Sequence, residues 1–280
     1  MIKYVDIDAL FEKYMKERVM KNEEKLSYEE WENKIPELYE EFGRQSFAEL
    51  DGKTPYSYYA DATGAELVFA LSEQIERGLS VSEYLCTAIV ESDGAEKPLI
   101  ALLDSGEEEK VMYALNLLGD KNSDDAVPKY VELAAFGAEE EHIRELAAEL
   151  LNGKCELCKE TLLRLYGDVD EAGKALFCDV LSRCAPDERV YDVLLAAFKT
   201  HPAQVTLFSS FLARYGDERA LSALYEAIER PNTDFGEFRE LKFAIETLGG
   251  EYENKRDFSE DKIYKKLKSE NAARKKEILH

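Results

Sequence analysis

Residues 126–153 read AVPKYVELAAFGAEEEHIRELAAELLNG. Two apolar-periodic runs stand in this stretch, PKYVELAAF (128–136) and EEEHIRELAAELL (139–151). In the second, Ile143, Leu146, Ala147 and Leu150 recur at the spacing of one helical face. Pro128 sits where the first run opens, and a first turn tolerates proline because the missing N–H would have no partner there. Gly153 sits where the second run closes, a position whose left-handed backbone only glycine adopts without steric cost. The stretch predicts two helices joined by a short turn.

The same grammar recurs along the chain. Predicted stops fall at Gly119, Gly153, Ala185, Gly216 and Gly249, spaced by 34, 32, 31 and 33 residues. Ala185 lacks the glycine, but Pro186 follows and ends the helix by another route. Further first runs are KETLLRLY (159–166), RVYDVLLAAF (189–198) and ALSALYEAI (220–228). Further second runs are EEEKVMYALNLL (107–118), EAGKALFCDVLSRC (171–184), AQVTLFSSFLARY (203–215) and FGEFRELKFAIETL (235–248). Small residues such as Ala147, Ala148 and Ser209 would let neighbouring helices approach. Pro98 and Pro202 also sit at predicted helix starts, and Pro36 and Pro55 read the same way, so none is expected inside a helix beyond its first turn.

A helix-turn-helix unit of this length fits HEAT-like or TPR arrays, and the TPR pattern of Trp, Leu-Gly and Tyr is absent. The stretch 126–153, with the LGD and YGD ends at Gly119-Asp120 and Gly216-Asp217, resembles HEAT repeats. The resemblance covers about 94–250, and 64–93 forms one more, less regular pair. It implies an all-α fold: a right-handed α-α superhelix of five to six helix pairs, whose second helices line a concave face. It implies no activity, since such arrays host unrelated functions. Residues 1–63 are expected to form an acidic N-terminal helical cap, 64–250 the array, and 251–280 a basic helical tail. LDGKTPYSYYADATGAELV, across the first boundary, resembles segments of HEAT-containing bacterial proteins, again without an activity.

The net charge is −23, which disfavours nucleic acid and anionic membrane surfaces and favours basic proteins. From residue 254 onward the sign reverses, with nine basic and five acidic residues. SEDKIYKKLKSENAARKK reads as a helix opened by Ser259 that caps the last repeat or lies on the acidic body. MIKYVDIDALFEKYMKE has early acids and no uninterrupted apolar core, so it is not expected to act as a signal peptide. Five unframed cysteines and no long apolar run point to a cytoplasmic chain with reduced thiols and no membrane span.

Cys155-x-x-Cys158, with Cys178 and Cys184, makes a set of four thiols that zinc could use. Against it, the second pair is not C-x2-C, and residues six apart on a helix point to different faces. Inert thiols, with no metal and no cofactor, are the expectation, and redox chemistry at Cys155 and Cys158 is the other alternative. Acids recur with the period: Glu107, Glu108 and Glu109, then Glu139, Glu140 and Glu141, then Asp170 and Glu171 beside Asp168. They either complement helix dipoles or form an acidic edge that steers a basic partner. Tyr56, Tyr58 and Tyr59 are expected to staple the cap to the first repeat. Tyr113, Asn116, Gln204, Ser209 and Arg214, on second runs, are the expected concave-face contacts. The histidines, His142, His201 and His280, are far apart, and no nucleophile elbow, phosphate loop or H-E-x-x-H motif occurs. The expected function is a non-catalytic scaffold or adaptor that binds a protein or peptide. The alternatives are a HEAT-like enzyme or nucleic-acid processor cradling its substrate, and auto-inhibition by the basic tail.

Overall fold

The computed structural model describes residues 4–21, 26–137 and 141–277. Among them are sixteen α-helices and no strand, and no helix is long and apolar enough to cross a membrane. The chain divides into two compact units, Met1–Lys129 and Tyr130–His280.

The first unit holds α1 (Ile7–Lys21), α2 (Tyr28–Gly43), α3 (Pro55–Tyr58), α4 (Gly64–Glu76), α5 (Glu83–Glu91), α6 (Glu96–Leu102) and α7 (Glu108–Asp120). Capping boxes set several starts: the Ser27 and Thr63 hydroxyls accept from the Glu30 and Glu66 N–H, and each glutamate accepts from its cap's N–H in return. α1 and α2 pack together through rings, Phe11 edge-on to Tyr39 at 4.9 Å and to Phe42 at 5.2 Å. Tyr84 of α5 stacks on Tyr39 at 4.9 Å and donates its hydroxyl to the Tyr39 carbonyl. Tyr56 adds the stapling expected of it, with its ring edge-on to Tyr84 and its hydroxyl on Glu40. α4 packs on α5, α6 and α7, and α7 on α5 and α6. Gly64 permits the close approach at the start of α4, where a Cβ would lie 2.2 Å from the Ala95 nitrogen.

The division between the units falls within α8 (Val127–Phe136). The second unit continues with α9 (Glu141–Asn152), α10 (Cys155–Leu165), α11 (Glu171–Leu181), α12 (Glu188–Thr200), α13 (Val205–Tyr215), α14 (Leu221–Ile228), α15 (Phe235–Thr247) and α16 (Lys262–Glu277). α9, α11, α13 and α15 pack in series, while α10 contacts α9 and α11, α12 contacts α11 and α13, and α14 contacts α15. The core between them is aliphatic and aromatic, including Leu151, Leu162, Phe177, Phe198, Phe208 and Leu224.

Several local expectations are corrected. Pro36 lies in the ninth position of α2, well past its first turn, because Leu38 and Phe42 beyond it are buried and hold the helix on course. Gly216 and Gly249 are left-handed, with φ of 81° at each, but Gly119 lies inside α7 and the left-handed residue is Asn122, φ 51°. The helix there closes through Ser123 N–H donating to the Leu118 carbonyl. Gly153 is not left-handed either, since α10 begins two residues later and the link turns through Lys154 N–H to the Leu151 carbonyl. The tail helix starts at Lys262 rather than at Ser259, with the Asp261 carboxylate accepting the Tyr264 N–H.

Candidate functional site

Three second-unit helices share a groove of about 630 Å³. Glu141, Arg144 and Glu145 come from α9, Ala172, Ala175, Leu176 and Asp179 from α11, and Leu207, Ser210, Phe211 and Arg214 from α13, with Gln204 just before it. On α11 and α13 these residues recur at i, i+3, i+4 and i+7, so each helix contributes one continuous stripe. The floor is apolar, and Leu207 is 39% exposed in it.

The charges around the floor are of two kinds. Arg144 is committed: its Nη1 and Nη2 donate to Asp170 at 2.9 and 2.7 Å, and its Nε to the Ala134 carbonyl at 3.3 Å. That guanidinium, and then the Gly173 N–H, hold the Asp170 carboxyl down at about 2. Arg214 pairs with Asp179 and donates to the Ser182 hydroxyl, and its guanidinium lies over the Phe211 ring at 5.6 Å. Glu141 and Glu145, by contrast, are exposed, with Glu141 in electrostatic reach of Arg144. The groove therefore presents an apolar floor and exposed carboxylates at its α9 side.

Of the expected concave-face contacts, Gln204 and Arg214 line this groove together. Ser209 does not: it is 0% exposed, with its hydroxyl turned to the Thr206 carbonyl. One residue is about 100° around a helix, and the stripe runs through Ser210 instead. Tyr113 and Asn116 sit on α7 in the first unit, Tyr113 half-buried and Asn116 exposed with its amide donating to the Met112 carbonyl. Composition could not have marked the half-buried Leu176 or the exposed Leu207 as floor; the stripe repeating on α11 and α13 could have.

The acidic groups mostly serve helix starts. Glu108 and Glu109 are in the first turn of α7, Glu141 in that of α9 and Glu171 in that of α11, while Asp170 caps α11 by accepting the Gly173 N–H. Glu139 and Glu140 lie outside the described residues. Glu107 shares the buried Lys110 ammonium with Glu76, at 2.8 and 2.6 Å. Glu171 binds Lys174 at 2.7 Å and the His201 ring. A feature missed in the sequence is the recurring Asp-Glu-Arg at 187–189 and 217–219. In each, the aspartate caps the helical turn and pairs with the arginine, which reaches back to Glu160 or Glu188 of the preceding pair.

The four thiols do not form one set. Cys178 is buried with its sulfur 3.6 Å from the Tyr166 hydroxyl, whereas the Cys155 and Cys184 sulfurs lie together beside the Glu156 carboxylate. Burial pushes the Cys158 and Cys178 thiols up to about 12 and raises Cys184 as well. No family model and no curated protein matches the chain.

Proposed function

We propose that the chain is a non-catalytic, HEAT-like α-solenoid, working in the cytoplasm as a scaffold or adaptor that binds a protein or peptide along its second helices. The observation that carries this reading is the groove across α9, α11 and α13, an apolar floor beside the exposed Glu141 and Glu145 carboxylates. Extended surfaces made by successive helices are what repeat proteins use for binding. A segment with an apolar side chain flanked by Lys or Arg would satisfy both halves of the groove. Nucleic acid would need free cations there, and Arg144 and Arg214 are both held by carboxylates.

The test is a photo-crosslinking residue at Ser210 in the native cell, followed by binding of the captured segment to variants. Leu207→Asp, and Glu141→Lys combined with Glu145→Lys, should each weaken it by about tenfold or more, the latter most at low salt. Affinity that ignores Leu207→Asp, or that does not change between low and high salt, removes this groove as the contact.

A further inference from the structure

The link between α11 and α12 is tied to the start of α10 by reciprocal bonds. The Cys155 thiol donates to the Arg183 carbonyl at 3.3 Å. The Ala185 N–H donates to Glu156 Oε1 at 2.6 Å, and the Lys159 ammonium to Glu156 Oε2 at 2.8 Å. Residues 155–156 are thereby fixed against 183–185, with Cys184 between the two tied positions. As a result Cys155 Sγ, Cys184 Sγ and a Glu156 carboxylate oxygen all lie within 4.8 Å of one another. Cys158, one turn further along α10, is buried and donates to the Cys155 carbonyl at 3.4 Å.

We propose that Cys155, Cys184 and Glu156 form a binding site for a soft divalent cation of the zinc class, with Cys158 the nearest further donor. Two thiolates and a carboxylate are the donor set such an ion prefers, and hard ions such as calcium or magnesium disfavour sulfur. In a tetrahedral site with metal–sulfur bonds of about 2.3 Å, neighbouring sulfurs lie about 3.8 Å apart. The two sulfurs need to close by about 1 Å at most to reach it. The orientation of the donors is already set, because the Ala185 N–H and Lys159 fix the carboxylate as outer partners do around metal ligands. On binding, each of the two thiols releases its proton to solvent and the ion takes the place of both. The product is a cross-link between the start of α10 and the link that follows α11.

The experiment uses the full chain, reduced with a phosphine and freed of metal, then titrated with cobalt(II) or cadmium(II). A thiolate-to-metal charge-transfer band should saturate at one equivalent, and native mass spectrometry should find one zinc per chain after zinc loading. Cys155→Ser and Cys184→Ser should each lower the affinity by about 100-fold or more, while Cys86→Ser leaves it unchanged. Circular dichroism checks that the serine variants fold. Independently of them, zinc loading of the native chain should slow alkylation of Cys155 and not of Cys86, since both thiols are half-exposed. The proposal is overturned by a reduced chain that gives no band, or by a band that survives combined Cys155→Ser and Cys184→Ser. A Cys155–Cys184 disulfide in the purified chain, with no metal taken up after reduction, overturns it equally.

Discussion

Two titratable residues at the start of α11 and the end of α12 work on stability with opposite signs. Asp170 is held down at about 2, below its ordinary 3.8, first by Arg144 and then by the Gly173 N–H. Its folded value lies below its unfolded one, so the stabilisation is complete above about 3.8 and is lost as pH falls through about 2. The shift is nominally worth about 2.5 kcal/mol. The side chain is 60% exposed, however, and solvent screening reduces that to about 1 kcal/mol. His201 runs the other way. Its Nε2 faces Glu171 and its Nδ1 the Ala197 carbonyl, and these bonds raise its pKa above 6.5. That contribution is complete below 6.5 and is lost as pH rises through the folded value. In urea unfolding, Asp170→Asn should therefore destabilise the chain at pH 6 and progressively less as pH approaches 2. His201→Gln should flatten the decline in stability above pH 6.5. Parallel pH profiles for the wild type and both variants would show that neither bond contributes.

At the scale of elements, α2 carries the one helix-interior proline that its sequence argues against. Pro36 removes the N–H that would bond the Glu32 carbonyl, and an interior proline costs a helix about 3 kcal/mol relative to alanine. Pro36 is exposed, so alanine meets no packed neighbour. The unfolded chain gains back about 0.4–1 kcal/mol of freedom when the ring is removed. Pro36→Ala should accordingly raise stability by about 2–2.6 kcal/mol in urea unfolding, and the new amide should be protected from hydrogen exchange. Lower stability would mean that the proline ring is needed to seat Leu38 and Phe42. Most run boundaries from α7 to α15 were legible because each run repeats an apolar stripe over two or more turns, although α10 opens at Cys155, a turn before the run read from 159. Starts could have been placed more closely still, since Ser27-x-x-Glu30, Thr63-x-x-Glu66 and Asp234-x-x-Glu237 stand in the sequence and all form capping boxes. What the sequence could not resolve was phase. Ser209 and Ser210 are chemically identical neighbours, and only packing decides which faces the core. Nor could Cys155 and Cys184 be joined by spacing within one helix, because their contact crosses from the start of one helix to the link after the next.

For the whole molecule, the division of charge matters more than its sum. Residues 1–253 carry −27 and the rest +4, which together give the net −23. Part of that basic segment is spent within the second unit itself. Arg256 donates to the Ile228 and Pro231 carbonyls, at the end of α14 where carbonyls lack helical donors. Phe258 packs on Phe235 and Phe238 of α15, with ring centroids 5.3 and 5.0 Å apart, and Tyr264 meets Phe235 at 5.0 Å. The tail thus supplies an apolar cover and a cationic cap to the last helix pair, as one of its two expected roles required. Ending the chain at Glu253 removes both. Half-burying one phenylalanine is worth about 1–2 kcal/mol, and a cation at a helix C-terminus about 0.3–1 kcal/mol. The truncated chain should lose about 1–3 kcal/mol of stability and bind a hydrophobic dye at the uncovered Phe235 and Phe238. Phe258→Ala in the full chain should reproduce most of that loss, and Arg256→Gln a smaller part. If truncation instead leaves stability and dye binding unchanged while uncovering a new binding activity, the tail acts as an inhibitor rather than a cover, because a segment that contributes no stability can persist there only by occupying a site.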